Sequence, residues 1–256
     1  MELKILGCHG GESPRHRSPA FLLDGRLAVD AGAITGMLDL EEQRAIQAVI
    51  LSHAHLDHVK DLAVLADARA QGGGVPPLEI VSSSGTIRNL RRHYFNYKIW
   101  PDFSVIPASE NPTIVFRALR PGQEVDVCGF TVKPVPVNHT VEAVGYIIDN
   151  GKASIAYSGD TGETDRLFDA IRAQKNLGAF LMEVAFPNSQ EKLARIAGHH
   201  TPSMLQRSLQ KIGDKRDLPV LLFHIKPVFE REVERELGRL KTNNLSILRL
   251  EDRFLL

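Results

Sequence analysis

Four potential metal ligands fall within six positions, His53-Ala54-His55-Leu56-Asp57-His58. The apolar run Ala48 to Leu51 leads straight into them and is expected to be a buried strand. Side chains alternate with period two in extended chain, so His53 and His55 point the same way. Asp57 and His58 then fall at the start of the next helix and can reach a second position nearby. Imidazoles and a carboxylate suit Zn²⁺, with Fe or Mn as alternatives. A merely solvated turn would not concentrate four such groups.

His139, Asp160 and His224 are less specific taken singly, since each could be a hydrogen-bonded structural residue or a turn aspartate. Together they answer a need. Each ion takes about four or five ligands including water, which a six-residue turn cannot supply to two ions. A carboxylate has two oxygens and can bridge two cations, a role open to Asp160 and to none of the histidines. His53, His139, Asp160, Glu183 and His224 all follow the end of an expected strand, which sets them at one rim of a layered α/β fold, where ligands bind.

The elements that must do this positioning are short. Leu3 to Leu6 reads as a strand, and Phe21 to Leu23 and Leu27 to Val29 flank the turn pair Asp24-Gly25. Lys60 to Gln71 is helical by pattern and ends at Gly72-Gly73-Gly74. Leu78 to Val81 is a strand, whereas residues 93–107, with five aromatics among turn formers, read as a loop or cap beside the site. Val125 to Val137 alternates like a strand pair, and Val144 to Ile148 with Ser154 to Tyr157 forms a hairpin around Asn150-Gly151. Thr164 is expected to cap a helix bearing Leu167, Phe168 and Ile171. Ala179 to Met182 and Val220 to Phe223 are strands. Pro202 opens a helix, Phe229 to Leu240 forms the last helix, and Leu245 to Leu250 is the closing strand.

The bulk properties set bounds. A chain of 256 residues is expected to form one hydrolase domain over 1–256. Its 31 basic and 31 acidic residues balance, so no broad basic field draws nucleic acid or a membrane. Two cysteines, Cys8 and Cys128, suggest no disulfide framework and are read as small core residues or inert thiols. No signal peptide and no apolar run of membrane-spanning length is evident, so a cytoplasmic protein is expected; a homodimer is left open.

The ligand motif, His139, the Ser-Gly-Asp-Thr turn at 158–161, His224 and Asp30-Ala31-Gly32 resemble the metallo-β-lactamase superfamily in order and spacing. The resemblance spans nearly the whole chain and implies a four-layer αββα sandwich with a two-metal site at one edge of the sheets. By that match His53, His55 and His139 hold one ion, Asp57, His58 and His224 the other, and Asp160 bridges them. Phe95-Asn96-Tyr97-Lys98-Ile99-Trp100-Pro101, Gly198-His199-His200-Thr201-Pro202 and His224-Ile225-Lys226-Pro227 further resemble segments of class II cyclic nucleotide phosphodiesterases. The pattern departs from that family at Lys60-Asp61 and at Cys8-His9, where it usually has smaller residues.

This resemblance implies hydrolysis of a 3′,5′-cyclic nucleotide, cyclic AMP first and cyclic GMP second, to the 5′-monophosphate. Two metal ions would bind the anionic phosphate and lower the pKa of a bridging water, whose hydroxide attacks phosphorus. The leaving ribose 3′-oxygen needs a proton, and His199 is the candidate donor, with His200 as the alternative. Glu183 is the candidate to hold and polarise His199, because Met182 to Phe186 and Gly198-His199 also resemble motifs of the tRNA 3′-processing endonuclease RNase Z. Asp57 is counted with the catalytic residues as well as the ligands. Asn96, Trp100 and Phe95 are candidates for the nucleobase pocket, against the plainer role of core packing. Thr201 and Lys226 are further substrate-binding candidates, the lysine for phosphate. The rival readings are an RNase Z-like nuclease, disfavoured by zero net charge and the lack of a long basic arm, and a nucleotide-binding protein without catalysis.

Overall fold

Most strands form from short, largely apolar runs that are too short for helices and are broken by turn formers. The computed structural model describes residues 1–240, 242 and 244–256. In chain order the strands are β1 (Glu2–Gly7), β2 (Ala20–Leu23), β3 (Leu27–Val29), β4 (Ala48–Ile50), β5 (Leu78–Ser83), β6 (Pro107–Ala108), β7 (Asn111–Pro112), β8 (Ile114–Leu119), β9 (Val125–Val127), β10 (Phe130–Pro136), β11 (Val144–Asp149), β12 (Ser154–Tyr157), β13 (Leu177–Glu183), β14 (Val220–Phe223), β15 (Leu245–Ile247) and β16 (Arg253–Leu255). The helices are α1 (Leu40–Ala45), α2 (Leu56–Val59), α3 (Leu62–Gly72), α4 (Ser84–His93), α5 (Arg166–Ala173), α6 (Glu191–Ala197), α7 (Pro202–Leu209) and α8 (Glu230–Leu237).

Two seven-stranded sheets result, in the orders β16-β1-β2-β3-β4-β5-β8 and β15-β14-β13-β12-β11-β10-β9, with β6 and β7 as a separate ribbon. Each sheet is antiparallel in one half and parallel in the other. From β3 through β8 the first runs parallel, and from β12 through β15 so does the second. Side chains of both sheets meet in one buried layer, where the Phe21 ring lies 5.5 Å from Tyr157 and 5.4 Å from Phe223. The outer face of the first sheet packs on α3 and α4 through Leu62, Leu65, Ile87 and Leu90. Helices α5, α7 and α8 cover the second through Phe168, Leu205 and Val233. This is the expected αββα sandwich. Among the described residues no helix is long and apolar enough to cross a membrane.

Several expected elements differ in detail. The helix expected over 60–71 is α3, which begins two residues later at Leu62, and Lys60 and Asp61 turn the chain from the separate short helix α2 that carries Asp57 and His58. Thr164 is not the cap of α5: Asp165 holds that position without a side-chain cap bond, and Thr164 is buried. The strand expected over Leu245 to Leu250 stops at Ile247, and β16 closes the first sheet by pairing with β1. Helices α1 and α4 and strand β8 were not foreseen. Helix α4 has a Ser83 hydroxyl cap accepting from Thr86 N–H, yet only three of its residues are buried, too few for a clear apolar stripe.

Truncating Phe21 tests the inter-sheet layer. Phe21→Ala should lower unfolding free energy by about 3–5 kcal/mol, read by denaturant titration; a loss under about 1 kcal/mol would mean the layer closes without this ring.

Candidate metal centre

Five strand ends converge on one rim. Strand β4 delivers Ser52-His53, β10 leads to His139, β12 to Asp160, β13 ends at Glu183, and β14 delivers His224. His55 is the N-cap residue of α2, which carries Asp57 and His58. One donor atom each from His53, His55 and His139 lies within 4.8 Å of the others, and the same holds for Asp57, His58 and His224. Asp160 stands between the groups: its Oδ2 is 3.8 Å from His53 Nε2, 3.3 Å from His58 Nε2 and 3.2 Å from His224 Nε2. All seven residues singled out in the sequence are thus brought together.

The hydrogen-bond network orients the rings. Asp30, fully buried, accepts from Ser52 N–H at 2.7 Å, the Ser52 hydroxyl at 2.8 Å, His58 Nδ1 at 2.7 Å and the Tyr157 hydroxyl at 2.5 Å. Ser52 Oγ in turn lies 2.9 Å from His53 Nδ1, and His139 Nδ1 lies 3.0 Å from Gly198 O. With each Nδ1–H assigned as donor, His53, His58 and His139 turn their Nε2 lone pairs inward. His139 Nε2 then sits 3.1 Å from His55 Nδ1. Asp30 was noted in the sequence only as part of Asp-Ala-Gly; its role as the anchor of His58 depends on contacts 22 to 127 positions away.

Four buried atoms in this cluster, His53 Nε2, His58 Nε2, His224 Nε2 and Asp160 Oδ1, have no hydrogen-bond partner among the described residues. Buried polar atoms are ordinarily satisfied, and four together point to a ligand. Burial, reinforced by the His58 charge, holds His53 well below the usual histidine range, so its lone pair is free. Burial opposes ionisation of Asp160, but His224 and His58 outweigh it and keep the carboxyl anionic. Burial likewise opposes a charge on His58, and Asp160 and Asp30 override it, so a proton can occupy the place of a cation there. Neutral imidazoles around carboxylates form a receptor for divalent cations, and the donor set fits zinc.

Backbone geometry supports the same rim. Asp30 and His224 adopt left-handed φ of 57° and 71°, uncommon for residues other than glycine. The Cys8 carbonyl holds His224 by accepting its N–H at 2.7 Å. Gly159, at φ 56°, lets the turn before Asp160 pass Ser52, whose Cβ would lie 2.9 Å from any Cβ added there.

Glu183 and His199 flank the cluster. Glu183 Oε1 accepts from His200 N–H at 3.0 Å and Thr161 N–H at 3.4 Å, tying the Asp160 turn to residues 199–200. It also lies 3.4 Å from His199 Nδ1, a charge contact without aligned hydrogen-bond geometry. Burial would push Glu183 up and His199 down, but their mutual attraction prevails and favours both charged forms. The His199 ring stacks on His224 at 5.1 Å. Both ring nitrogens of His200 are engaged, with Thr161 O at 2.8 Å and Ser208 Oγ at 2.9 Å, so His200 braces the turn and does not face the cluster.

The substrate-binding candidates are placed less favourably. Phe95 is 1% exposed and packs in the outer core, with Trp100 partly buried against the same cluster. Asn96 closes its own loop, accepting from Lys98 and Ile99 N–H and donating to Arg92 O. Thr201 is buried as the cap of α7. Lys226 remains at the rim, its Nζ 5.3 Å above the Phe186 ring. Missed in the sequence was a cavity of about 380 Å³ walled by His55, Asn89, Leu90, His93 and Tyr94. Tyr94 donates its hydroxyl to Lys60 O at 2.6 Å.

Comparison with known proteins agrees with this architecture. Residues 30–225 match the model of the beta-lactamase superfamily domain. The chain is 28% identical over 212 residues to a probable 3′,5′-cyclic-nucleotide phosphodiesterase of Yersinia pestis, covering 74% of this chain and 60% of that one. It is 27% identical over 165 residues to a ribonuclease Z of Enterococcus faecalis, covering 58% of this chain and 49% of that one. The crystal structure of unliganded yeast PDE1 superposes with a TM-score of 0.85 at 20% identity, over 100% of this chain and 99% of that one. The chain spans about half to three fifths of the length of the curated phosphodiesterase relatives it matches.

Asp30→Asn would set an NH₂ group against donors. Divalent-metal affinity by chelator competition should fall about 10–100-fold with the circular dichroism spectrum preserved; equal affinity would release Asp30 from that role.

Proposed function

Given that the chain belongs to the metallo-β-lactamase superfamily, we propose that it is a phosphodiesterase that hydrolyses 3′,5′-cyclic nucleotides, cyclic AMP and cyclic GMP, to 5′-monophosphates. The observation that carries the reading is the convergence of seven ligand side chains beside the Glu183–His199 pair. The phosphodiesterase names of relatives in Yersinia pestis and Aliivibrio fischeri support the substrate class. His53, His55 and His139 would hold one divalent ion, and Asp57, His58 and His224 a second, with Asp160 shared; zinc suits the donors best, iron or manganese next. Bound there, such ions supply charge neutralisation for the phosphodiester and an acidified water as nucleophile.

The chain's own residues do the rest. His199 Nδ1 faces Glu183, which leaves Nε2 to deliver a proton to the departing ribose 3′-oxygen. Glu183 keeps that imidazole charged and fixes its turn. The Lys226 ammonium, beside Phe186 at the rim, would meet a phosphate oxygen. The base lies in the cavity beside His55, where the Tyr94 ring and the polar ends of Asn89 and His93 can address it.

A substrate panel on metal-loaded protein tests the reading: 3′,5′-cyclic AMP should be turned over, ahead of 2′,3′-cyclic AMP and precursor tRNA. Binding of cyclic AMP without release of AMP, or preferential cleavage of tRNA, would overturn it. His199→Ala should lower kcat by about 10²–10⁴ while metal content is unchanged. The pH profile gives a further reading. Glu183 raises the pKa of His199, and turnover needs the protonated ring, so activity falls as pH rises through that pKa. Glu183→Gln removes the negative charge and should move this alkaline limb to lower pH; an unmoved limb would assign it to another group.

A further inference from the structure

The loop between β1 and β2 carries a second group of ligands that the proposed reaction does not use. One nitrogen each of His9 and His16 and one carboxylate oxygen of Glu230 lie within 4.8 Å of one another. His16 Nε2 is 3.2 Å from Glu230 Oε2, and the two imidazoles meet edge to face with centroids 4.7 Å apart. His9 is buried, and His16 and Glu230 are half-buried.

The surroundings aim these groups. The Ser13 hydroxyl lies 2.5 Å from His16 Nδ1, which turns Nε2 toward Glu230. Ser13 and His16 also exchange backbone hydrogen bonds of 3.1 and 3.2 Å, closing the tight turn that presents the ring. Arg249 Nη1 lies 3.4 Å from Glu230 Oε1, which leaves Oε2 for the histidines. Two imidazoles and a carboxylate are a sufficient protein set for zinc, with solvent completing the tetrahedron.

The position gives the group a purpose. Glu230 is the first residue of α8, and the loop is the wall behind His224: Cys8 O accepts His224 N–H at 2.7 Å and Gly10 N–H donates to Ile225 O at 3.0 Å. A Cβ on Gly10 would lie 2.5 Å from His224 O and 2.9 Å from its Nδ1, so the loop and this ligand are in direct contact.

We propose that His9, His16 and Glu230 form a separate divalent-cation site of the zinc class, which clamps the β1–β2 loop to the start of α8 behind His224. The site is structural: it has no contact with substrate and acts on His224 only by fixing its wall.

Metal counting on the full chain decides. The chain is loaded with Zn²⁺, desalted, and assayed by elemental analysis. His16→Ala and Glu230→Gln should each retain one equivalent fewer per chain than the unmodified protein. His53→Ala should lose metal independently, so that the losses add in the double variant His16→Ala/His53→Ala. If the His53 cluster bound no metal, the unmodified chain would still hold one equivalent that His16→Ala removes, so the two proposals fail separately. Folded variants with the metal content of the unmodified chain would overturn the site and leave a plain His16–Glu230 ion pair. Should His16→Ala fold poorly, Glu230→Gln, which keeps the side-chain volume, carries the test.

Discussion

Inward-facing donor atoms without partners constrain this structure more than any other feature. His53 Nε2, His58 Nε2, His224 Nε2 and Asp160 Oδ1 are buried together and unpaired. Each such atom costs about 1–3 kcal/mol if left unsatisfied. The cluster therefore works against folding unless a cation completes it, and the proposed ions would act as folding ligands as well as chemical ones. The sandwich suits this task because parallel strands release their C-terminal ends on one rim. His224 and Asp160 come from the second sheet and His53 from the first, so the cation receptor can form only when the inter-sheet core has closed.

Holding lone pairs in place takes a further layer of contacts. Asp30 gathers four donors and thereby couples β3, β4, α2 and β12 in one buried network. Its own left-handed backbone and that of His224 each carry strain of about 1 kcal/mol or more. Such strain survives only where surrounding contacts over-determine it. For Asp30 these are the side-chain bonds just named, and for His224 they are the Cys8 carbonyl and the close approach of Gly10. One strained residue orients a ligand and the other is a ligand, so the surrounding sheets bear the cost of a preorganised site.

What could be read in the sequence follows from how local each signal is. The strand-to-ligand junctions at His53, Asp160 and His224 were legible because a short apolar run and a polar group adjoin within a few residues. Helix α4 and strand β8 were not: α4 buries only Thr86, Ile87 and Leu90, and β8, at the edge of its sheet, has Ile114 and Leu119 buried at its ends with exposed or half-buried residues between. Thr164 and Asp165 are both plausible caps by type, and only tertiary burial of Thr164 separates them. The engagement of His200 was illegible for the same reason, since its partners Thr161 and Ser208 lie 39 and 8 positions away.

The aromatic segment 94–103 is held together mostly by contacts within itself. Phe95 packs against Phe116 with centroids 5.9 Å apart, and the Asn96 side chain fastens the turn from within. Trp100 completes the closure by donating its N–H to Tyr94 O and offering its carbonyl to Asn96 and Tyr97 N–H. Tyr94, at the start of this closed loop, lies at the wall of the cavity beside His55. Residues packed away from that cavity can thus hold a ring at its wall. In that arrangement the Asn96 side chain reaches Tyr94 only through the backbone turn that Trp100 closes.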